Sequence, residues 1–149
     1  EDNMVTVAKS TLIENIYKNF YDLIVAISGF TTIVFPEFPD NILTAEGSYP
    51  VVIIDSPEVD WKPFTFGKSV SDGTIDVTVY TILPKDTDQF SSDISDKIET
   101  SKMTLAGVGL RDVQLDSTDK DFAQQGEIKV HFKTLTFRYK FYFTKTLAF

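Results

Sequence analysis

Few residues in this chain have the types and spacing that catalysis or ligand binding requires. Gly67-Lys68-Ser69 matches the end of a phosphate-binding loop, but that loop needs a glycine five residues earlier, where Lys62 stands. The segment is also predicted to form a strand, whereas such loops hold phosphate at the start of a helix. We therefore expect no nucleotide or cofactor site here.

Two groups of acidic residues are candidates for a hard cation, which prefers several oxygen ligands from one loop. Neither group has the spacing of an EF-hand loop or its glycine at the sixth position. We expect solvated loops or a protein-binding edge and no resident metal, with adventitious calcium as the alternative. The groups are Asp55, Glu58 and Asp60, and Asp116, Asp119 and Asp121.

His131 is the only histidine, and the chain has no cysteine. His131 stands between Lys129 and Lys133 on a predicted strand, so we expect an exposed or interfacial ring. No Gly-x-Ser-x-Gly motif supplies a nucleophile, and nothing singles out a pair of carboxylates. We expect no catalytic residues and a protein that is not an enzyme.

Charge is divided sharply along the chain. Residues 128–149 carry five bases, no acid and seven aromatics, whereas residues 1–127 carry nine bases and all twenty-two acids. Basic residues among aromatics can bind single-stranded nucleic acid. Strict alternation, however, places Phe137, Tyr139, Phe141 and Phe143 on one face, as a sheet core requires. We therefore expect a basic rim that meets an acidic neighbour.

Two helices are predicted. The first runs from about Thr11 to Ser28, begins with a capping box of Thr11 and Glu14, and has one broad apolar face. The second covers Asp86–Leu105 and has a narrow apolar stripe four residues apart. We expect this polar helix to lie outside the core and to be largely solvated. The stripe consists of Phe90, Ile94 and Ile98.

The central strands are predicted from apolar runs and turn residues. Tyr49–Asp55 is a continuous apolar run that we expect to be buried on both faces. Asp72-Gly73 stands between β-rich segments, which predicts a hairpin turn there. In the strand after it, we expect one buried face made of Ile75, Val77, Val79 and Leu83.

The last strand is unusually long and is preceded by a charged segment, Ser117–Glu127, predicted to be a loop or mobile arm. Its apolar alternation changes phase near Lys133-Thr134, which predicts a β-bulge or a change of packed face. The whole chain, residues 1–149, is expected to form one α+β domain. It would contain a mainly antiparallel sheet of four to five strands with both helices packed on it.

This order of elements resembles the tail-completion or tail-terminator proteins of long-tailed bacteriophages, minor proteins of the head–tail junction. The resemblance is one of pattern and covers nearly the whole chain. It rests best on three segments: Tyr49-Pro-Val-Val-Ile-Ile-Asp55, Gly73-Thr-Ile-Asp-Val-Thr-Val-Tyr-Thr81 and Val130-His-Phe-Lys-Thr-Leu-Thr-Phe-Arg138. It implies no catalytic residues. The polar stretch before Asp72-Gly73 departs from the family.

The resemblance implies a virion protein, assembled in the host cytoplasm, that forms a ring of six copies. The ring would cap the tail tube, join it to the neck or head connector, and let DNA pass through its lumen. No membrane partner is expected, because the longest apolar stretch is far too short to span one. The residues expected at subunit or partner interfaces are Lys129, His131, Lys133, Arg138, Lys140, Asp116, Asp119 and Asp121.

Two alternatives remain open on the sequence. One is a head-side adaptor or neck protein that closes the head. The other is a cellular binding module that uses the basic last strand on acidic proteins or single-stranded nucleic acid.

Overall fold

The computed structural model describes residues 6–7, 12–36, 49–60, 68–125 and 128–144. Within them, three helices accompany one seven-stranded sheet. The helices are α1 (Leu12–Val25), α2 (Pro84–Thr100) and α3 (Lys102–Gly107). The strands are β1 (Thr6–Val7), β2 (Val34–Phe35), β3 (Val51–Ile54), β4 (Glu58–Asp60), β5 (Lys68–Thr81), β6 (Arg111–Gln125) and β7 (Ile128–Thr144).

Strands β5 and β7 form the centre of the sheet. They pair antiparallel without a register shift, from Lys68 opposite Thr144 to Thr81 opposite His131. The other edge of β5 pairs with β3 and β4, and the other edge of β7 pairs with β6 and β1. The α+β prediction is confirmed. The four longer strands fit the predicted four to five, and the remaining three contain only two or three residues each.

The core lies between the helices and one face of the sheet. Phe20 of α1 packs on Phe137 and Tyr139 of β7, with ring centroids 6.0 and 6.3 Å apart. The predicted alternation is confirmed from Ser71 to Thr81 of β5 and from Leu135 to Phe141 of β7, where every second residue is buried on this face. Leu83, predicted to share this face, lies beyond the end of β5 and is 49% exposed. The buried sheet residues are Ile75, Val77, Val79, Leu135, Phe137, Tyr139 and Phe141.

The second helix packs on the sheet as predicted, but its bounds and its depth of burial differ from the prediction. It begins at Pro84, and Ser101 separates it from α3, so the predicted single helix is two. The expectation that it lies outside the core is wrong, since Ile94 and Ile98 are fully buried in the main cluster. A narrow apolar stripe is enough to pack α2 on the core because the other side of the helix is exposed to solvent. No helix of the described residues is long and apolar enough to span a membrane.

The predicted hairpin at Asp72-Gly73 is wrong. Strand β5 runs through both residues without a turn. Gly73 is needed for close packing instead, because a Cβ there would lie 2.3 Å from the Glu58 carbonyl oxygen. The rest of the phosphate-loop pattern, Lys68 and Ser69, also lies in β5, while Gly67 lies outside the described residues.

The segment predicted as a loop, Ser117–Glu127, is also corrected. As far as it is described, to Gln125, it forms most of strand β6. The phase change in β7 is a change of packed face, since its pairing with β5 is continuous through Lys133-Thr134. The register shifts lie in β6, between Arg111 and Gln114 and between Leu115 and Ser117.

Candidate interface on the β6–β7 hairpin

Strand β6 is the most exposed long element of the described chain. All of residues 114–122 are exposed, on both sides of the sheet, and Phe122 keeps 56% of its surface. Among the described strands β6 pairs only with β7. A strand with both sides and one edge open has its surface available to another molecule.

The ladder between β6 and β7 fixes which side of the sheet each charged residue faces. Residues directly opposite each other share a side, and neighbours along a strand alternate. Lys120 lies opposite Lys133 and Phe122 opposite His131, on the side where α1 and α2 pack, which we call the helix side. Asp119 and Asp121 lie on the opposite side.

The helix side of the hairpin is basic. Lys129 places its Nζ 4.1 Å from the centre of the Phe122 ring, a cation–π distance, and the His131 ring lies 6.4 Å from that of Phe122. Lys133 donates a hydrogen bond of 2.9 Å to Asp88 of α2. That bond, with the charges of Lys133 and Lys120, lowers the pKa of Asp88.

The opposite side of the hairpin is acidic where it is most exposed. Arg138 and Asp116 form an ion pair at 3.4 Å within the same chain. The Asp121 carboxylate accepts a hydrogen bond of 2.8 Å from the Phe122 backbone, and Asp119 is exposed nearby. Lys140 is also exposed, beside a shallow depression that Lys102 and Asp112 line too.

The four bases predicted to form one rim, Lys129, Lys133, Arg138 and Lys140, therefore lie on two sides of the sheet. Lys129, His131 and Lys133 lie on the helix side, whereas Arg138, Lys140 and the three aspartates lie on the other. Lys133, Arg138 and Asp116 are also engaged within their own chain. The sequence prediction missed Lys120 and Phe122, whose only signal was alternating charge in a segment assigned to a loop.

The other acidic group lies along an open groove of about 520 Å³ between β4 and β5. Glu58 and Asp60 line it with Asp72 and Arg138, while Asp55 is exposed outside it. Burial, and then the charge of Asp76, raises the pKa of Asp55. Among the described residues, no three carboxylates or histidines converge as metal ligands would.

The aromatic residues of β7 whose side chains the structure describes, Phe132, Phe137, Tyr139 and Phe141, do not offer a stacking platform for bases. Phe137, Tyr139 and Phe141 are at most 1% exposed in the core. On the other side of the strand, Phe132 packs against Tyr80 with centroids 5.2 Å apart, and Thr134 and Thr78 share a hydrogen bond of 2.9 Å. Of the described rings on β6 and β7, Phe122 alone is largely exposed.

Comparison with known proteins gives a likeness of fold. No protein-family model matches this sequence, and no curated protein matches it. One similar solved structure is a chain from the virion of a native gene transfer agent particle. It superposes with a TM-score of 0.57 at 12% identity, over 87% of this chain and 97% of that chain. The two chains share a fold over almost their whole lengths.

Proposed function

We propose that this protein is a structural component of a virion. It assembles as a ring, expected to contain six copies, that caps the tail tube of a phage-like particle and joins it to the neck. The observation that carries the proposal is the fold shared with a chain of a gene transfer agent virion over 97% of that chain. The match leaves only a small part of either chain outside the shared fold.

The exposed hairpin supports assembly as the role of this subunit. Strand β6 offers two exposed sides and an edge that pairs with no other described strand, while the core is closed beneath the helices. A surface of this kind is suited to contacts with other chains rather than to chemistry on a small molecule. The net charge of −8 also suits a ring through which DNA slides without adhering.

Removing the gene from a particle-producing cell tests the proposed position. We expect filled heads and separate tails, because the ring that caps and joins the tail is missing. Electron microscopy of particles carrying a tagged copy should place the tag at the junction, at the tail-tube end.

A tag on the head side of the junction would support the adaptor or neck role instead. Normal particles without the protein, or a protein that stays strictly monomeric inside purified particles, would contradict the proposal.

A further inference from the structure

The hairpin of β6 and β7 carries opposite charges on its two sides. Lys120, Lys129 and Lys133 lie on the helix side, and the opposite side carries Asp116, Asp119 and Asp121. Successive side chains of a strand point to opposite sides, so the two charged surfaces lie directly behind each other on the same two strands.

Part of this charge is neutralised within the chain and part is not. Lys133 is paired with Asp88, and Asp116 is paired with Arg138. Two lysines, Lys120 and Lys129, and two aspartates, Asp119 and Asp121, are exposed and form no ion pair among the described residues. At the Gln125–Ile128 end of the hairpin these four charges match in number and oppose in sign, while Lys140 of the opposite side lies at the far end of the ladder, opposite Arg111.

We infer that the helix side of this hairpin in one copy docks on the opposite side of the hairpin in the next copy. Lys120 and Lys129 then face Asp119 and Asp121 of the neighbour, and the exposed Phe122 ring lies at the centre of the contact. The two surfaces differ, so the contact is head-to-tail, the kind that closes into a ring. This contact rests on the proposed ring and names the surface that builds it.

A second copy fits this surface better than nucleic acid does. A polyanion on the lysines would lie one ribbon thickness from Asp119 and Asp121, on a chain with net charge −8. A neighbouring hairpin brings its own carboxylates to the lysines and its own lysines to the carboxylates. Opposite charges so arranged determine orientation and choice of partner more than total affinity.

Introduced cysteines can test the contact cleanly, because the chain contains none. Thr118 and Ser117 are exposed neighbours on β6 that face the helix side and the opposite side respectively. We expect an oxidised mixture of Thr118→Cys and Ser117→Cys proteins to form disulfide dimers roughly tenfold faster than either variant alone at low salt. High salt should remove this preference. Equal rates for the mixture and the single variants would overturn the inference.

Charge reversal gives a matched test that does not depend on one pair of cysteines. With Lys120→Glu and Lys129→Glu, the Thr118→Cys protein becomes acidic on both sides. With Asp119→Lys and Asp121→Lys, the Ser117→Cys protein becomes basic on both sides. Mixing either reversed protein with the unreversed partner should slow dimer formation, because the facing charges then repel. Mixing the two reversed proteins should restore it, and folded proteins that show no restoration would overturn the inference.

The test separates this contact from the proposed function and from nucleic-acid binding. Side-specific dimers from a protein that is absent from the particle junction would retain the contact and reject the function. A protein found at the junction whose dimers show no side preference would support the proposed function and reject the contact. Binding of a labelled single-stranded oligonucleotide that Lys120→Glu/Lys129→Glu abolishes, without side-specific dimers, would assign the surface to nucleic acid instead.

Discussion

Gly73 lies opposite Tyr139 in the β5–β7 ladder, where its missing side chain leaves room for the phenol ring. The Tyr139 hydroxyl uses that room to donate a hydrogen bond of 3.2 Å to the Glu58 carbonyl oxygen. Burial, followed by the charge of Glu58, raises the pKa of Tyr139, which keeps the hydroxyl protonated as a donor. One glycine therefore lets β4, β5 and β7 meet at close range.

Alanine at this position should destabilise the fold. The added Cβ of Gly73→Ala would lie 2.3 Å from the Glu58 oxygen and 2.8 Å from the Tyr139 hydroxyl, so β4 or the ring must move. We expect a loss of about 1–3 kcal/mol in the free energy of unfolding, measured by urea denaturation.

Gly107→Ala is the matched control, since a Cβ there meets nothing within 4 Å and the residue is helical. It should leave stability unchanged or raise it by up to about 1 kcal/mol. Equal effects of the two substitutions would contradict the role given to Gly73.

The same glycine shows where reasoning from sequence fails at this scale. Asp-Gly favours a turn because glycine tolerates positive φ, but it equally suits a strand that another backbone must approach. Whether Asp-Gly forms a turn or a close approach of two backbones depends on the residues that pack against the glycine. Here these are Glu58 and Tyr139, which are 15 and 66 residues away along the chain. Ile75, Val77 and Val79 were predicted correctly because alternation depends on their own strand.

At the scale of elements, the ion pair of Lys133 with Asp88 joins β7 to α2 at 2.9 Å. The pKa of Asp88 is lowered from its ordinary value of 3.8, first by the hydrogen bond from Lys133 and then by the lysine charges. A carboxyl group of this kind adds stability above its unfolded pKa. That contribution is lost as the pH falls through the lower folded value.

Lys133→Gln should therefore destabilise the protein slightly at pH 7, and the difference from wild type should shrink by about pH 2. Urea midpoints at the two pH values measure this, and added salt should reduce the effect because Asp88 is exposed. Lys85→Gln, which removes an exposed lysine from the same helix, should show no such pH dependence. A deficit of Lys133→Gln that persists unchanged at pH 2 would exclude the ion pair as its cause.

Two phenylalanines on neighbouring strands test whether β7 or β6 anchors the sheet. Phe137→Ala should lower the free energy of unfolding by about 3–5 kcal/mol, since Phe137 is 1% exposed and packs on Phe20. Phe122→Ala, at 56% exposure, should change it by no more than about 0.5 kcal/mol. Circular dichroism during urea denaturation distinguishes these outcomes, and a large loss from Phe122→Ala would show that its ring supports the fold.

Burial also explains which elements the sequence could predict. Strand β7 buries every second residue from Leu135 to Phe141, so an alternation of apolar residues is visible in its sequence. Strand β6 is exposed on both sides from residue 114 to 122, so its sequence resembles a charged loop. Its strand pairing with β7 supplies the order that local sequence does not show, and this is why part of the candidate interface was missed.

At the scale of the whole molecule, the helices cover one face of the sheet, and β6 leaves one edge unpaired among the described strands. The helices close the core over β5 and β7, whereas β6 remains open at the side of the sheet. The sequence predicted that basic residues would meet acidic ones and named the three hairpin aspartates among them, but it placed Asp119 and Asp121 in a loop. The structure places Asp116, Asp119 and Asp121 on the hairpin itself, because pairing with β7 determines the side each of them faces.

Arg138→Glu and Lys140→Glu are each expected to reduce incorporation into particles several-fold while the protein stays folded. Both bases lie on the side that meets lysines in the inferred self-contact, so the loss is expected in the contact with the tail tube or neck protein. Both side chains are exposed, and an exposed ion pair such as Arg138 with Asp116 adds only about 0–1 kcal/mol to stability. Quantifying the protein in purified particles measures incorporation, and circular dichroism checks the fold. Lys18→Glu, an equal change of charge on exposed α1, should be incorporated normally.

A charge swap decides whether Arg138 acts on its own chain or on a neighbour. Combining Arg138→Asp with Asp116→Arg restores an ion pair within the chain, with the two charges exchanged. A partner protein would then meet a charge of the opposite sign at each of the two positions. Continued poor incorporation of the swapped protein is the expected result, because charges at the rim of an interface choose the partner. Full recovery would instead show that the 3.4 Å pair only fixes the bulge of β6 at Asp116, and that the partner is recognised elsewhere.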